Sequence, residues 1–468
     1  MQKSITSFVC NECGYESAQY LGKCPECGEW NSLKEFKISN SKFPISNKGQ
    51  KEKVQPKKLS EVHYEEKERV STGFLEMDTV LGGGIVKGSV TLIAGDPGIG
   101  KSTLLLQLAL FVSNSKVVLS KAKDPKHQQS TQPKEILRSA QNDNKRTVLY
   151  ISGEESEDQI KLRAQRITTN SNTNLLLLSI NNTDTIVEVI ESTKPSLVII
   201  DSIQTVDSEA LEGLAGSVGQ VRYAASTFTR VAKSLHIPVF IVGHVTKEGM
   251  VAGPMVLSHM VDTVLLLEGE RFTKTRILRS LKNRFGPIDE VGIFAMEEAG
   301  MIEVKNPESI FLSQKREHVP GSVLVATLEG TRAFLVELQS LVVYSKFPMP
   351  KRVASGIDPR RLELLLAVLQ KHCKLPVETM DVFVNVPGGL KLSDPAIDLG
   401  ICLAVFSSLK NVALENTVGI AEVGLLGELR KVSALDKRVK QAEKLGFKNI
   451  ISSESHKSLS QVMSSLSK

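Results

Sequence analysis

The chain has no run of about 18 consecutive apolar residues, which excludes a membrane-spanning helix. Met1 to Val9 lacks an apolar core of the length a secretory leader needs, so the expected compartment is the cytoplasm. Cysteine is scarce, six in 468 residues, and four of the six sit in two close pairs. That pattern argues against a disulfide-stapled scaffold and for a metal site. Charge of one sign is also in short supply. A net +6 permits a nucleic-acid partner without requiring one. What remains, 41% apolar and 24% charged residues, is the composition of a globular protein with large cores. The length suggests about three domains.

The most informative stretch is Gly95-Asp96-Pro97-Gly98-Ile99-Gly100-Lys101-Ser102, followed by Thr103. It fits the pattern G-x-x-x-x-G-K-[ST]. The apolar run before it predicts a buried strand and the leucine-rich run after it a helix. A strand feeding a glycine-rich turn that opens a helix aims backbone N–H groups and the positive helix end at one point, which suits polyphosphate. Residues 95–103 are therefore the expected ATP-binding loop. Lys101 would reach the β- and γ-phosphates and Ser102 would hold Mg²⁺.

Cys10-x-x-Cys13 and Cys24-x-x-Cys27 are two knuckles with ten residues between them, each followed by glycine. Two such turns present four thiolates to one Zn²⁺ in a closed tetrahedral shell, a structural rather than catalytic site. Cys373 and Cys402 stand alone in apolar surroundings and are expected in the core.

Further along, near-continuous apolar strands at 90–94, 148–151, 197–200, 239–242 and 263–267 alternate with helical segments, predicting a mostly parallel sheet covered on both faces. Asp201 ends one of these strands and is the expected second Mg²⁺ contact. Glu154 and Glu155 follow another, where ligands gather in open parallel sheets. Glu154 is favoured as the carboxylate that polarises the attacking water, the alternative being an acidic helix start that complements the dipole. His244 and Thr246, at a third strand end, are candidate sensors of the γ-phosphate, with a structural histidine as the alternative. A polar stretch at about 115–146 interrupts the pattern as a surface insertion.

Together, Ser71-Thr72-Gly73, the phosphate loop, Ile151 to Ser156, Asp201, the cysteine module and Leu281-Lys282-Asn283-Arg284-Phe285-Gly286 resemble the bacterial RadA family, DNA-repair ATPases of the RecA superfamily. The resemblance implies an α/β fold: a RecA-like P-loop core, an N-terminal zinc ribbon and a C-terminal α+β Lon-protease-like domain. It implies bounds of 1–36 for the zinc module, 37–66 for a linker, 67–305 for the ATPase core and 306–468 for the Lon-like domain. It further implies a DNA-dependent ATPase that acts as a homo-hexameric ring on single-stranded and branched DNA, promotes branch migration and works with the recombinase RecA. Lys282 and Arg284 resemble the K-x-R element of DnaB-type helicases, with Arg284 as an arginine finger acting in trans and Lys282 its partner; contact with DNA phosphates is the competing role.

The Lon likeness rests on 381–386, 390–398 and 419–430. Where Lon peptidases carry a nucleophilic serine this chain has Ala396, and Asp436 aligns with the catalytic lysine, with Lys437 beside it. A methyl group cannot attack a carbonyl, so a proteolytically inactive scaffold is expected. Ser393 is the expected helix cap. Lys431, Lys437, Arg438, Lys440 and Lys444 are expected on a basic outer face, either solvated or binding duplex DNA. The rival readings are a nucleotide-switched DNA scaffold, a Lon-like peptidase and a filament-forming recombinase.

Overall fold

The computed structural model describes residues 6–10, 16–17, 19–25, 28–37, 69–115, 146–168, 173–211, 213–244, 257–269, 273–304, 312, 319–387 and 390–466. The expected linker beyond Lys37, the body of the insertion, Cys13, Cys27 and Thr246 lie outside them. Contacts divide the chain into two compact units: Met1–Leu267 with Ser280–Pro287 and Glu298–Met301, and Glu268–Arg279 with Ile288–Glu297 and Ile302–Lys468.

The N-terminal strands β1 (Thr6–Cys10), β2 (Glu16–Ser17) and β3 (Leu33–Lys37) form a small antiparallel sheet in the order β2-β1-β3. Cys10 and Cys24 are both buried, in one cluster with Leu33.

The body of the first unit is a parallel sheet in the order β9-β4-β8-β7-β5-β6. Helix α1 (Leu75–Leu81) precedes β4 (Val90–Gly95), and α2 (Lys101–Asn114) follows it. The rest runs β5 (Val148–Ser152), α3 (Glu157–Ile167), β6 (Leu175–Ser179), α4 (Thr183–Thr193), β7 (Leu197–Asp201), α5 (Val218–Leu235), β8 (Val239–His244) and β9 (Thr263–Glu268). β4, β5 and β7 are buried at every position, as expected of strands covered on both faces. Ser156 and Gln159 close α3 with a capping box, which fixes where the β5–α3 turn ends. Ser115 and Arg146, which flank the expected insertion, hydrogen-bond to each other at 3.4 Å, so the two flanking residues meet.

In the second unit, the first part of β10 (Thr275–Asn283) pairs antiparallel with β11 (Val291–Glu297); β12 (Gly300–Glu303), whose first two residues belong to the first unit, follows in the chain. Then comes a six-stranded sheet in the order β15-β16-β14-β13-β17-β20, made of β13 (Ser322–Glu329), β14 (Arg332–Tyr344), β15 (Arg352–Ser355), β16 (Met380–Asn385), β17 (Thr417–Ile420) and β20 (Asn449–Ser452). A two-stranded ribbon, β18 (Glu422–Val423) and β19 (Leu429–Arg430), stands apart. Helices α6 (Pro359–Cys373), α7 (Asp398–Lys410), α8 (Leu435–Lys444) and α9 (Leu459–Leu466) accompany these sheets, and the interior of α7, including Cys402, is wholly buried.

Two expectations fail here. The turn before α7 is capped by Asp394, not Ser393: the Asp394 carboxylate accepts from the Ala396 N–H at 3.0 Å, because Pro395 opens a 3₁₀ turn one residue later than expected. Arg438 is not on a basic outer face. Its side chain is 1% exposed, and it donates to the Asp394 carboxylate (2.6 Å), the Ala326 carbonyl (2.7 Å) and the Ser433 carbonyl (2.9 Å). It shares the inner face of α8 with Leu435 and Ala442, while Lys431, Lys437, Lys440 and Lys444 are exposed.

Candidate nucleotide site

β4 delivers Gly95 to the sheet's carboxyl edge. A β-carbon there would lie 2.5 Å from the Leu267 carbonyl oxygen on β9, so only glycine fits where the loop leaves the sheet. The loop enters α2 through Gly100, with φ of 111°, and the helix begins at Lys101. Ser102 and Thr103 occupy its first turn, and Asp96, Pro97, Gly98 and Ile99 form the arch between. Lys101 is 3% exposed, and its ammonium donates to the Gly95 and Asp96 carbonyls at 2.8 and 2.9 Å. Burial lowers its pKa, opposed by Asp201, Asp96 and Glu154.

The sheet register sets Ser152 opposite Asp201, which brings the β5 and β7 ends together. Ser152 Oγ accepts from the Glu154 and Glu155 backbone N–H groups, shaping the turn that carries both carboxylates. Glu154 then faces the phosphate loop: it accepts from Ser202 Oγ at 2.7 Å and lies 3.6 Å from His244 Nε2. Glu155 instead turns to Arg163 on α3, at 2.8 Å. Geometry therefore separates the two glutamates. His244, at the end of β8, has Nδ1 3.2 Å from the Lys101 ammonium. An ammonium only donates, so Nδ1 accepts and the imidazole proton sits on Nε2, toward Glu154. Burial and the Lys101 charge lower the His244 pKa, keeping the ring neutral at pH 7.

Asp201 is 7% exposed and accepts from the Tyr150 hydroxyl at 2.6 Å. Composition gave no pointer to this tyrosine, whose only sequence signal is a single hydroxyl inside the apolar run of β5. An all-oxygen donor set, Asp201 and Ser102 at the mouth of the phosphate loop, fits a hard cation such as Mg²⁺. The Cys10 and Cys24 thiols, buried in one cluster, are the soft donors that Zn²⁺ takes. With Cys13 and Cys27 outside the described residues, the full ligand set is not seen together.

Lys282 and Arg284 are brought together, but away from this cluster. Lys282 Nζ donates to the Ser258 and Val261 carbonyls at 2.6 and 2.8 Å. Arg284 pairs with the buried Asp262 carboxylate at 3.2 Å, which also takes Lys233 at 3.1 Å and the Val90 N–H at 3.1 Å. Val90 is the first residue of β4 and Gly95 the last. The two cations thus sit at the amino end of the strand whose carboxyl end carries the phosphate loop, about 17 Å away at 3.3 Å per residue. Asp262, like Tyr150, was missed from sequence; an acid directly ahead of an apolar strand was its only sign. Gly286 has a packing reason: a β-carbon there would lie 2.8 Å from Gly82 Cα.

Comparison with known proteins agrees with this geometry. Residues 66–250 match the family model described as an AAA domain, and residues 8–35 the rubredoxin metal-binding domain. A solved structure of the RadB recombinase matches 50% of this chain and 99% of its own, with 20% identity and a TM-score of 0.37, too low to bear on the fold. The DNA repair protein RadA of Halalkalibacterium halodurans is 45% identical over 96% of this chain and 93% of its own, and that of Bacillus subtilis matches at the same identity and coverage. RadA of Aquifex aeolicus is 45% identical over 96% of this chain and 94% of its own. Likeness of that extent, over 96% of its length, means that the chain belongs to the RadA family of DNA repair proteins.

Proposed function

We propose that this protein is an ATP hydrolase of DNA repair and recombination, working as a ring, a homo-hexamer, that moves on single-stranded DNA and promotes branch migration alongside the recombinase RecA. The proposed divisions are a zinc module at 1–36, a linker at 37–66, the ATPase core at 67–305 and a Lon-like scaffold at 306–468, in a cytoplasmic protein. No helix among the described residues is long and apolar enough to cross a membrane.

ATP would bind the 95–103 loop, its phosphates against the backbone N–H groups at the start of α2 and the Lys101 ammonium. Ser102 and Asp201 would hold Mg²⁺, which when bound draws charge from the phosphate oxygens. Glu154, fixed by Ser202 and beside His244, orients the attacking water and accepts its proton. Arg284 supplies a positive charge to the transferring γ-phosphoryl group of a neighbouring subunit, an effect worth roughly 10³–10⁵ in rate for fingers of this type. The zinc module holds partners or DNA, and Ala396, buried at the position of a Lon nucleophile, leaves the C-terminal unit without peptidase chemistry.

One observation carries the ring reading. Arg284 is anchored at the amino end of β4 through Asp262, so the phosphate loop at the other end of that strand is out of its reach. A finger built this way serves another subunit. The test is ATP hydrolysis with and without single-stranded DNA at two salt concentrations. DNA-stimulated, salt-sensitive turnover, abolished by Lys101→Ala with the zinc module still folded, is expected. Mixed assemblies of Arg284→Ala and Glu154→Ala subunits should regain some of the turnover each lacks alone. No recovery despite demonstrated co-assembly removes the trans finger, and DNA binding without Lys101-dependent turnover replaces the motor by a nucleotide-switched scaffold.

A further inference from the structure

Behind the nucleotide site lies a chain of polar groups that the proposed hydrolysis does not use. Tyr150 has no exposed surface, and its neighbours on β5, Leu149 and Ile151, are apolar and buried. A phenylalanine would fill the same space, and a buried hydroxyl is unfavourable unless it is bonded. This one donates to Asp201 Oδ2 at 2.6 Å. It also accepts from Arg163 NH2 at 3.3 Å, and Arg163 in turn is held by Glu155, the residue next to Glu154. The hydroxyl thus has one donor behind it and one carboxylate oxygen ahead of it. The carboxylate is fixed about its terminal bond, a torsion with no strong preference of its own.

We infer that Tyr150 is a positioning residue for the divalent cation: its hydroxyl occupies Oδ2 of Asp201 and so turns Oδ1 toward the metal position, with Arg163 and Glu155 holding the hydroxyl. Hydrogen-bond partners behind a metal ligand set its orientation and basicity, and their loss commonly lowers metal affinity about 10–100-fold. The arrangement also gives Glu155 a task distinct from that of Glu154, and explains why two adjacent carboxylates face opposite ways. This inference rests on the reading of Asp201 as a Mg²⁺ contact.

The experiment uses the full chain with Mn²⁺ as the probe. Mn²⁺ binding is followed by electron paramagnetic resonance with a non-hydrolysable ATP analogue present, in wild type, Tyr150→Phe, Arg163→Gln and Asp201→Asn. Tyr150→Phe should bind the metal-free analogue as wild type does, keep its thermal midpoint within a few degrees, and bind Mn²⁺ about tenfold more weakly. Its ATPase should need correspondingly more Mg²⁺ for half-maximal rate. Arg163→Gln, on the partly exposed face of α3, should shift Mn²⁺ affinity in the same direction and by less, and it supplies the test should Tyr150→Phe not fold. Wild-type Mn²⁺ affinity in the folded tyrosine variant, beside a clear loss in Asp201→Asn, overturns the positioning role and leaves Asp201 as the ligand. Unchanged affinity in Asp201→Asn overturns it for a different reason, because Asp201 is then not the metal contact.

Discussion

Arg438 shows how much a residue's meaning depends on the side of a helix it occupies. Its three neighbours among the basic residues of α8, Lys437, Lys440 and Lys444, are solvated, whereas the Arg438 guanidinium is spent inside the fold on Asp394, Ala326 and Ser433. Asp394 meanwhile accepts from the Ala396 and Leu328 N–H groups. The pair therefore locks the turn ahead of α7, with Ala396 buried in the core beside it. Removing one partner of a buried pair strands the other. Arg438→Ala should destabilise the C-terminal unit by about 3–5 kcal/mol, read as a fall in its denaturation midpoint. Arg438→Lys should recover part of this only, because an ammonium lacks the guanidinium fork. At this scale the sequence was legible where a residue's neighbours in the chain are also its neighbours in space. Gly95 to Ser102 are one turn, and their pattern reads directly. Tyr150, Arg438 and Asp262 act through partners at separations of 51, 44 and 172 residues, which no local pattern records.

Among the elements, the parallel strands were the most legible, because burial on both faces forces continuous apolar runs that end abruptly in Asp201, Ser152 and His244. The cap of the turn before α7 was not, since Ser393 and Asp394 are both good caps and only Pro395 decides between them. The insertion tests how independent the elements are. Its flanking residues meet at Ser115 and Arg146, two residues before β5 pairs with β7. Replacing 116–145 with a short glycine-containing turn should leave Lys101-dependent ATPase intact. It should also raise stability slightly, by about 0.6 kcal/mol for each halving of a flexible loop. Loss of turnover in a folded excision variant would mean that the segment serves the site.

For the molecule as a whole, the proposed trans finger would make turnover depend on concentration. A subunit alone carries the phosphate loop, Glu154 and Asp201, but its own Arg284 lies beyond reach. Specific ATPase activity should therefore fall as the protein is diluted through its assembly range, with Arg284→Ala lowering the activity of the assembled form and leaving the dilute form unchanged. Activity independent of dilution, in a protein shown to dissociate, would count against the proposed finger.

The opposition of Arg284 and the phosphate loop across β4 also bears on which assemblies the proposed finger would permit. A subunit with a giving end and a receiving end is directional, like an arrow. Under the proposed trans finger, a twofold axis completes both sites only if two subunits lie side by side and antiparallel, each finger on the other's loop. Head-to-tail stacking is the other arrangement that would complete them, and such stacking either closes on itself or grows without limit. In that arrangement the angle between successive subunits, rather than any residue near the phosphate loop, would decide between a ring and a filament.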